Sequence, residues 1–307
     1  MPLNHGPKRN ASMPVHPLIL SKIRMVTAIS SAALAVSGCV SSGMAGGSEQ
    51  AISAELPPER APTYADLVDH ALEAEVVGVV FVDDQVVVPA ERAPNLAPGQ
   101  VRLYVESTIQ RLLKSPLPLG ESLNFLVDKM PNQDGELPRI TRQAFVFFAD
   151  PVPGQPGSVQ LLSSDSLIPA GPMIEARLER VLNQLAASDV LPAITGIKDV
   201  ISVAGNLAGE SETQMFIQTT TGAPVSVSVV RRPDMAPQWG VSLGEIVDQD
   251  ARPPEPETIA WYRFACELPE QLPADSYLQT DRASRGQAQE DYAFIKRELG
   301  PCESRIG

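Results

Sequence analysis

The sequence predicts an α+β fold: a small antiparallel β-barrel-like domain, followed by a unit of one helix packed on an antiparallel sheet. Three observations carry this. Between residues 76 and 163, five or six short runs rich in Val, Leu, Ile and Phe recur roughly 10–20 residues apart, the rhythm of a small barrel or sandwich. In Met173–Ala187 the apolar residues 174, 178, 181, 182 and 185 fall on one face of a 3.6-residue period. Thr213–Thr219 and Val225–Val230 flank the turn Thr220-Thr-Gly222, the strongest hairpin signal in the chain.

Residues 1–38 hold Lys8, Arg9, Lys22 and Arg24 but no Asp or Glu, and Met25–Gly38 is uncharged. A basic region, a short apolar run and small residues before a cut read as a signal peptide. The apolar run is shorter than the ~20 residues a membrane span needs. A start at Met13 would give a basic region of more ordinary length. The residues Leu34-Ala-Val-Ser-Gly-Cys39 resemble the cleavage box of bacterial lipoproteins. That resemblance implies that Cys39 is acylated and anchors the mature chain to the cell envelope, facing the periplasm. Val40 stands where an Asp marks inner-membrane retention in enteric bacteria, so the resemblance points to the outer membrane. The rival reading of this segment is a short amphipathic helix with a buried cysteine.

Removing 38 of 307 residues leaves 269, and losing four bases moves the net charge from −13 to −17. Such acidity repels nucleic acid and anionic headgroups, so no nucleic-acid partner is predicted. His5 and His16 leave with the signal, and His70 is the one histidine of the mature chain. A single imidazole excludes multi-histidine metal sites and handicaps acid–base chemistry near neutrality. No metal and no cofactor is predicted. Cys266 and Cys302, 36 residues apart, are the remaining thiols. In an exported chain such a pair reads as a disulfide. Two separate free thiols are the alternative, while a redox-active pair is usually spaced C-x-x-C.

Residues 39–62, Gly/Ser-rich and then Pro-rich, read as a flexible tether. Over 63–168, Thr63 caps a helix across Tyr64–Glu73 with Asp66 at the third following position. Val76–Val82 and Val86–Val88 read as a hairpin about Asp83-Asp84. Val101–Ile109, running into Gln110–Lys114, then Ser122–Val127, Gln143–Ala149 and Ser158–Ser163 complete the β-rich domain. Their order resembles exported OB-type barrels; this is a likeness of strand pattern that implies no ligand. Pro169–Pro172 opens an α+β domain over 169–272: the Met173 helix, a Gly-rich passage 196–209, the hairpin, strand Trp239–Leu243 and a short helix Ile259–Cys266. Residues 273–307 form a polar tail with a terminal helix over Asp291–Leu299, pinned by the disulfide.

Three constellations bear on chemistry. Gly240-Val-Ser-Leu-Gly244 matches the G-x-S-x-G form, but that elbow needs a strand before the Ser and an acid and a histidine after it. No histidine follows Ser242, so a bent strand with paired glycines is the better reading. Asp69-His70 joins a carboxylate to an imidazole. Neighbours on a helix point about 100° apart, so a solvated helix face explains the pair. Arg231-Arg232 closes a strand and offers guanidinium groups to a carboxylate, phosphate or protein partner. Glu210, Glu212, Glu245, Asp248 and Asp250 make internal ion pairs the competing account. Trp239, Trp261 and Tyr262 read as core.

The phrases Gly209-Glu-Ser-Glu-Thr-Gln214, Gly244-Glu-Ile-Val-Asp248 and Trp261-Tyr-Arg-Phe-Ala-Cys266 resemble exported proteins of alphaproteobacteria described only as uncharacterised, and imply an envelope address without an activity. The expected role is a non-catalytic envelope module that binds or scaffolds another envelope protein. The competing class is a periplasmic hydrolase using Ser242 or a carboxylate pair.

Overall fold

The computed structural model describes residues 57, 59–244 and 251–306. The signal peptide, Cys39, nearly all of the tether, and Glu245, Asp248 and Asp250 lie outside them. Thr63 opens helix α1 (Tyr64–Glu73) as expected: its hydroxyl accepts the Asp66 amide while the Asp66 carboxylate accepts the Thr63 amide. Lys114 closes the other end, donating to the carbonyls of Ala71 (2.9 Å) and Ala74 (2.5 Å).

The first sheet contains β1 (Val76–Val87), β2 (Val101–Lys114), β3 (Ser122–Lys129), β4 (Ala144–Pro151), β5 (Val159–Leu161) and β6 (Leu167–Pro169). Its order is β3-β2-β1-β4-β5, with β6 also on β4, and every ladder is antiparallel. The hairpin expected at Asp83-Asp84 is instead one continuous strand. A register shift between Val82 and Asp84 absorbs the two acids, because β2 is long enough to pair beyond them. The sheets are antiparallel as expected, but among the described residues no ladder closes this one into a barrel. Its ends touch at one parallel bridge, Asn124–Ser158, beside the Asn124 N–H donating to the Gly157 carbonyl (2.8 Å). Gly154 and Gly157, both left-handed (φ 74° and 84°), turn the chain, and the three residues of β5 pair with β4.

After Gly171, helix α2 (Pro172–Leu185) starts on a proline, whose missing N–H costs nothing at that position. It buries Leu178 and Val181 beside α1. The second sheet has the order β10-β9-β8-β7, from β7 (Ile194–Ala204), β8 (Ser211–Thr219), β9 (Val225–Arg231) and β10 (Gln238–Ser242). Much of the passage 196–209 is therefore strand. Register shifts after Ile194 and Ile197 accommodate its glycine and broke the alternation in the sequence. The free edge of β7 is covered: Val200 N–H donates to Ser276 O (2.7 Å) and Leu278 N–H to Val200 O (3.0 Å). Gln279 adds a side chain that mimics a strand, accepting from Ser202 N–H (2.8 Å) and donating to Ser202 O (2.7 Å).

Helix α3 (Ile259–Tyr262) runs into a π turn, Arg263–Glu267. Ile259 and Tyr262 belong to the cluster under α1 and α2, whereas Phe264, Ala265 and Leu268 belong to the core of the second sheet. The wider turn aims neighbouring residues into both, and the described residues form part of one compact unit. Helix α4 (Arg282–Leu299) starts nine residues before the expected Asp291, capped by Asp281 accepting from the Ser284 amide (2.8 Å). Ala288, Tyr292 and Ile295 carry its buried face through a segment whose polarity concealed it. Cys266 and Cys302 are joined, their Cα atoms 5.1 Å apart. Among the described residues no helix is long and apolar enough to cross a membrane.

Candidate functional site

The residues singled out by chemistry are largely committed to the fold. Arg231 is the last residue of β9 and Arg232 lies just beyond the strand. Arg231 Nε donates to Asp291 Oδ1 at 2.5 Å, and Asp291 is fully buried on α4. Thr213 Oγ1 (2.5 Å) and Gln287 Nε2 (3.2 Å) also donate to that carboxylate. The acid is thus a helix residue, while Glu210 turns to the amides of Asn206 and Leu207. Arg232 is exposed.

Ser242 is buried at the end of β10, opposite Ser226. Gly240 has its own reason: a Cβ there would lie 2.2 Å from the Ala251 carbonyl carbon, so only glycine permits the crossing chain. His70 does not lie on a solvated face. Its ring is buried edge-on to Phe148 (centroids 5.1 Å apart), with Nδ1 3.0 Å from the Asp66 carbonyl. Asp69 instead accepts from the Tyr262 hydroxyl. Burial, and then that carboxylate, push the Tyr262 pKa upward. His70 packs on the first sheet and Ser242 sits on the second, so these two side chains do not form a nucleophile–base pair. Among the described residues no three His, Cys, Asp or Glu side chains form a metal-holding group.

What the structure does build is a cleft of about 920 Å³ where α1, α2, α3 and the C-terminal residues meet. Its apolar wall is Tyr64 and Trp261, edge to face at 6.1 Å, with Met173, which is 67% exposed. Trp261 is held by its indole N–H donating to Leu299 O (2.9 Å), and Tyr64 by its hydroxyl donating to Gln184 Oε1 (2.5 Å). The polar wall is Glu257, gripped by Arg177 (2.5 Å) and Arg180 (3.1 Å). Glu257 has φ 55°, a conformation unusual outside glycine, and its ion pairs hold it there. Burial first, then the Glu257 charge, raises the Tyr64 pKa.

The third wall is a strap, residues 301–306. Thr63 Oγ1 donates to Glu303 O (2.8 Å). The fully buried Asp66 carboxylate accepts from Ser304 Oγ (2.8 Å), Arg305 N–H (3.0 Å) and Ile306 N–H (3.3 Å). Burial alone would raise the Asp66 pKa, but the bonds from Thr63, Ser304 and Arg305 together outweigh it and hold the carboxyl below its usual range. A second cleft, of about 790 Å³, lies along the outer face of β8 beside Lys198 and Asp199 and gathers no comparable set of anchors.

Sequence reasoning found the Thr63–Asp66 box and both cysteines but not this cleft. Trp261 reads as core and does pack, partly buried, against both core clusters, while Glu257 follows Pro253–Pro256, where no periodicity marks a role. The chain matches no known family and no curated protein.

Proposed function

We propose that this protein is a lipid-anchored component of the bacterial cell envelope, held through Cys39 and facing the periplasm from the outer membrane. Its folded part acts as a non-catalytic binding or scaffold module that docks an envelope protein in the cleft. One observation carries the reading. Ser242 and His70 are buried apart and Arg231 is paired with Asp291, while Trp261, Tyr64, Met173 and the Glu257-bound Arg177 line an open cleft. Aromatic, Met and Arg side chains are those that anchor protein interfaces. The strand order of the first sheet, with its single parallel contact, supports an OB-like sheet stopped short of closure.

The test is a photo-reactive residue at Met173, with exposed Val203 as the control position. A discrete cross-linked envelope protein at 173, lost on Trp261→Ala and absent at 203, is the expected result. Cys39→Ser should release the chain from membranes, since acyl chains supply the anchoring. Fluorophosphonate labelling abolished by Ser242→Ala would overturn the non-catalytic reading.

A further inference from the structure

We infer that the Cys266–Cys302 bond is a thiol-exchange site that latches the strap across the cleft, and that its reduction opens the cleft. The inference rests on the cleft being the docking site and supplies its regulation. Residues 301–306 form no helix or strand, and 301–305 are exposed. Ile306 packs its side chain against the cluster under α1 and α2, and two polar or covalent fasteners hold the rest. One is the Asp66 carboxylate, accepting from Ser304, Arg305 and Ile306, with Thr63 bonded to Glu303. The other is the disulfide.

The two ends of that bond are unequal. Cys266 lies in the π turn and packs against both core clusters, whereas Cys302 lies beyond α4 in exposed chain. A disulfide serving only as a staple would join two packed elements; this one joins the core to the strap. Pro301, Glu303 and Arg305 form one wall of the cleft, so whatever frees the strap removes that wall.

An external dithiol supplies the electrons. Its thiolate attacks the sulfur of Cys302, a residue in exposed chain, forming a mixed disulfide as the bond to Cys266 breaks and Cys266 leaves as a thiolate, which takes up a proton. The second thiol of the reagent then displaces Cys302. The reagent ends as a disulfide, and the protein has gained two electrons and two protons. The hydrogen bonds to the buried Asp66, the Thr63–Glu303 bond and the packing of Ile306 then hold the strap without a covalent tie.

The experiment is amide hydrogen exchange on the mature protein, oxidised and after dithiothreitol. A Trp239→Phe background makes Trp261 the only indole. On reduction, protection at Arg305 and Ile306 should fall by about tenfold or more, and acrylamide quenching of Trp261 should rise about twofold, while β8 and β9 stay protected. The Cys266→Ser/Cys302→Ser variant should reproduce the reduced state. Retained protection at Arg305 and Ile306 would overturn the latch. So would loss of protection throughout β8 and β9, which would make the bond a staple for the whole fold. The latch is read without any partner, so a Met173 cross-link absent in both redox states overturns the docking reading separately.

Discussion

The two sheets bury their strands differently. In the first, β1 and β4 are covered on both faces. Val76, Val80, Phe145 and Phe147 turn into one cluster, while Val77, Val79, Val146 and Phe148 meet α1 and α2. In the second, Met215, Ile217, Val227 and Val229 face the π turn and α4, whereas Glu212, Gln214 and Gln218 line the uncovered side. A strand buried on both sides reads as a continuous apolar run, and a strand buried on one side alternates. The doubly covered sheet therefore brings helices together, and their junction creates the cleft. The singly covered sheet gains stability from one helix and a buried polar network instead.

The segment joining the two regions is the sharpest place to test how separate they are. Phe264 is fully buried in the second core, two residues beyond Tyr262 in the other cluster. Phe264→Ala should cost about 3–5 kcal/mol. If α3 couples the sheets, denaturation followed by Trp fluorescence and by far-UV circular dichroism will show coincident transitions at a lower midpoint. Two separated transitions would mean that the sheets unfold independently.

The ion pairs of the two sheets supply the next contrast. Arg231→Ala leaves the fully buried Asp291, among the described residues, with Thr213 and Gln287 as its remaining side-chain donors. The expected loss is about 3 kcal/mol, since an orphaned buried charge keeps its desolvation cost. On the first sheet Arg102 binds Asp128 at 2.7 and 2.8 Å, and that bond holds the Asp128 pKa below its usual range. Both of those side chains reach solvent, so Arg102→Ala should cost about 1 kcal/mol. Equal losses in urea titrations would remove the distinction.

The same contrast explains what could be read from the sequence. Alternation exposed the β8–β9 hairpin, and the apolar stripe exposed α2. Continuous burial concealed the true length of β1, so two acids in a bulge passed for a turn. The bulges of β7 broke its period in the same way, and α4 hid its narrow apolar face among Gln, Glu and Arg. At the cleft, Trp261 and Glu257 are more than 190 residues from Tyr64 and Thr63. Pairings so distant leave no local pattern, and the strap's use of Asp66 is visible only in three dimensions.

Asp66 tests the first region through pH. Its folded pKa is depressed, so its contribution is present above the unfolded carboxyl value and is lost as pH falls through the folded one. The window is therefore acidic, below about pH 4. Asp66→Asn should cost about 2 kcal/mol at neutral pH, the scale of hydrogen bonds to a charged group. The difference from wild type should shrink as the pH drops through that window. A cost that stays constant with pH would mean the charge is not what holds the strap.

Thr63 carries the smallest expected effect and separates the two duties of this corner. Its hydroxyl oxygen accepts from the Asp66 amide to cap α1, and its hydroxyl hydrogen is donated to Glu303 in the strap. Capping alone predicts a loss of about 1 kcal/mol for Thr63→Ala. Thr63→Asn separates the roles, because an Asn carbonyl can still cap the helix while its amide reaches differently toward Glu303. With capping dominant, Asn should restore nearly all of the lost stability. The protection of the Arg305 and Ile306 amides should then stay close to wild type, because Asp66 rather than Thr63 holds them. If Asn restores the melting temperature but those amides exchange freely, the Thr63–Glu303 bond is the controlling contact, and Asp66 loses the primary role assigned to it.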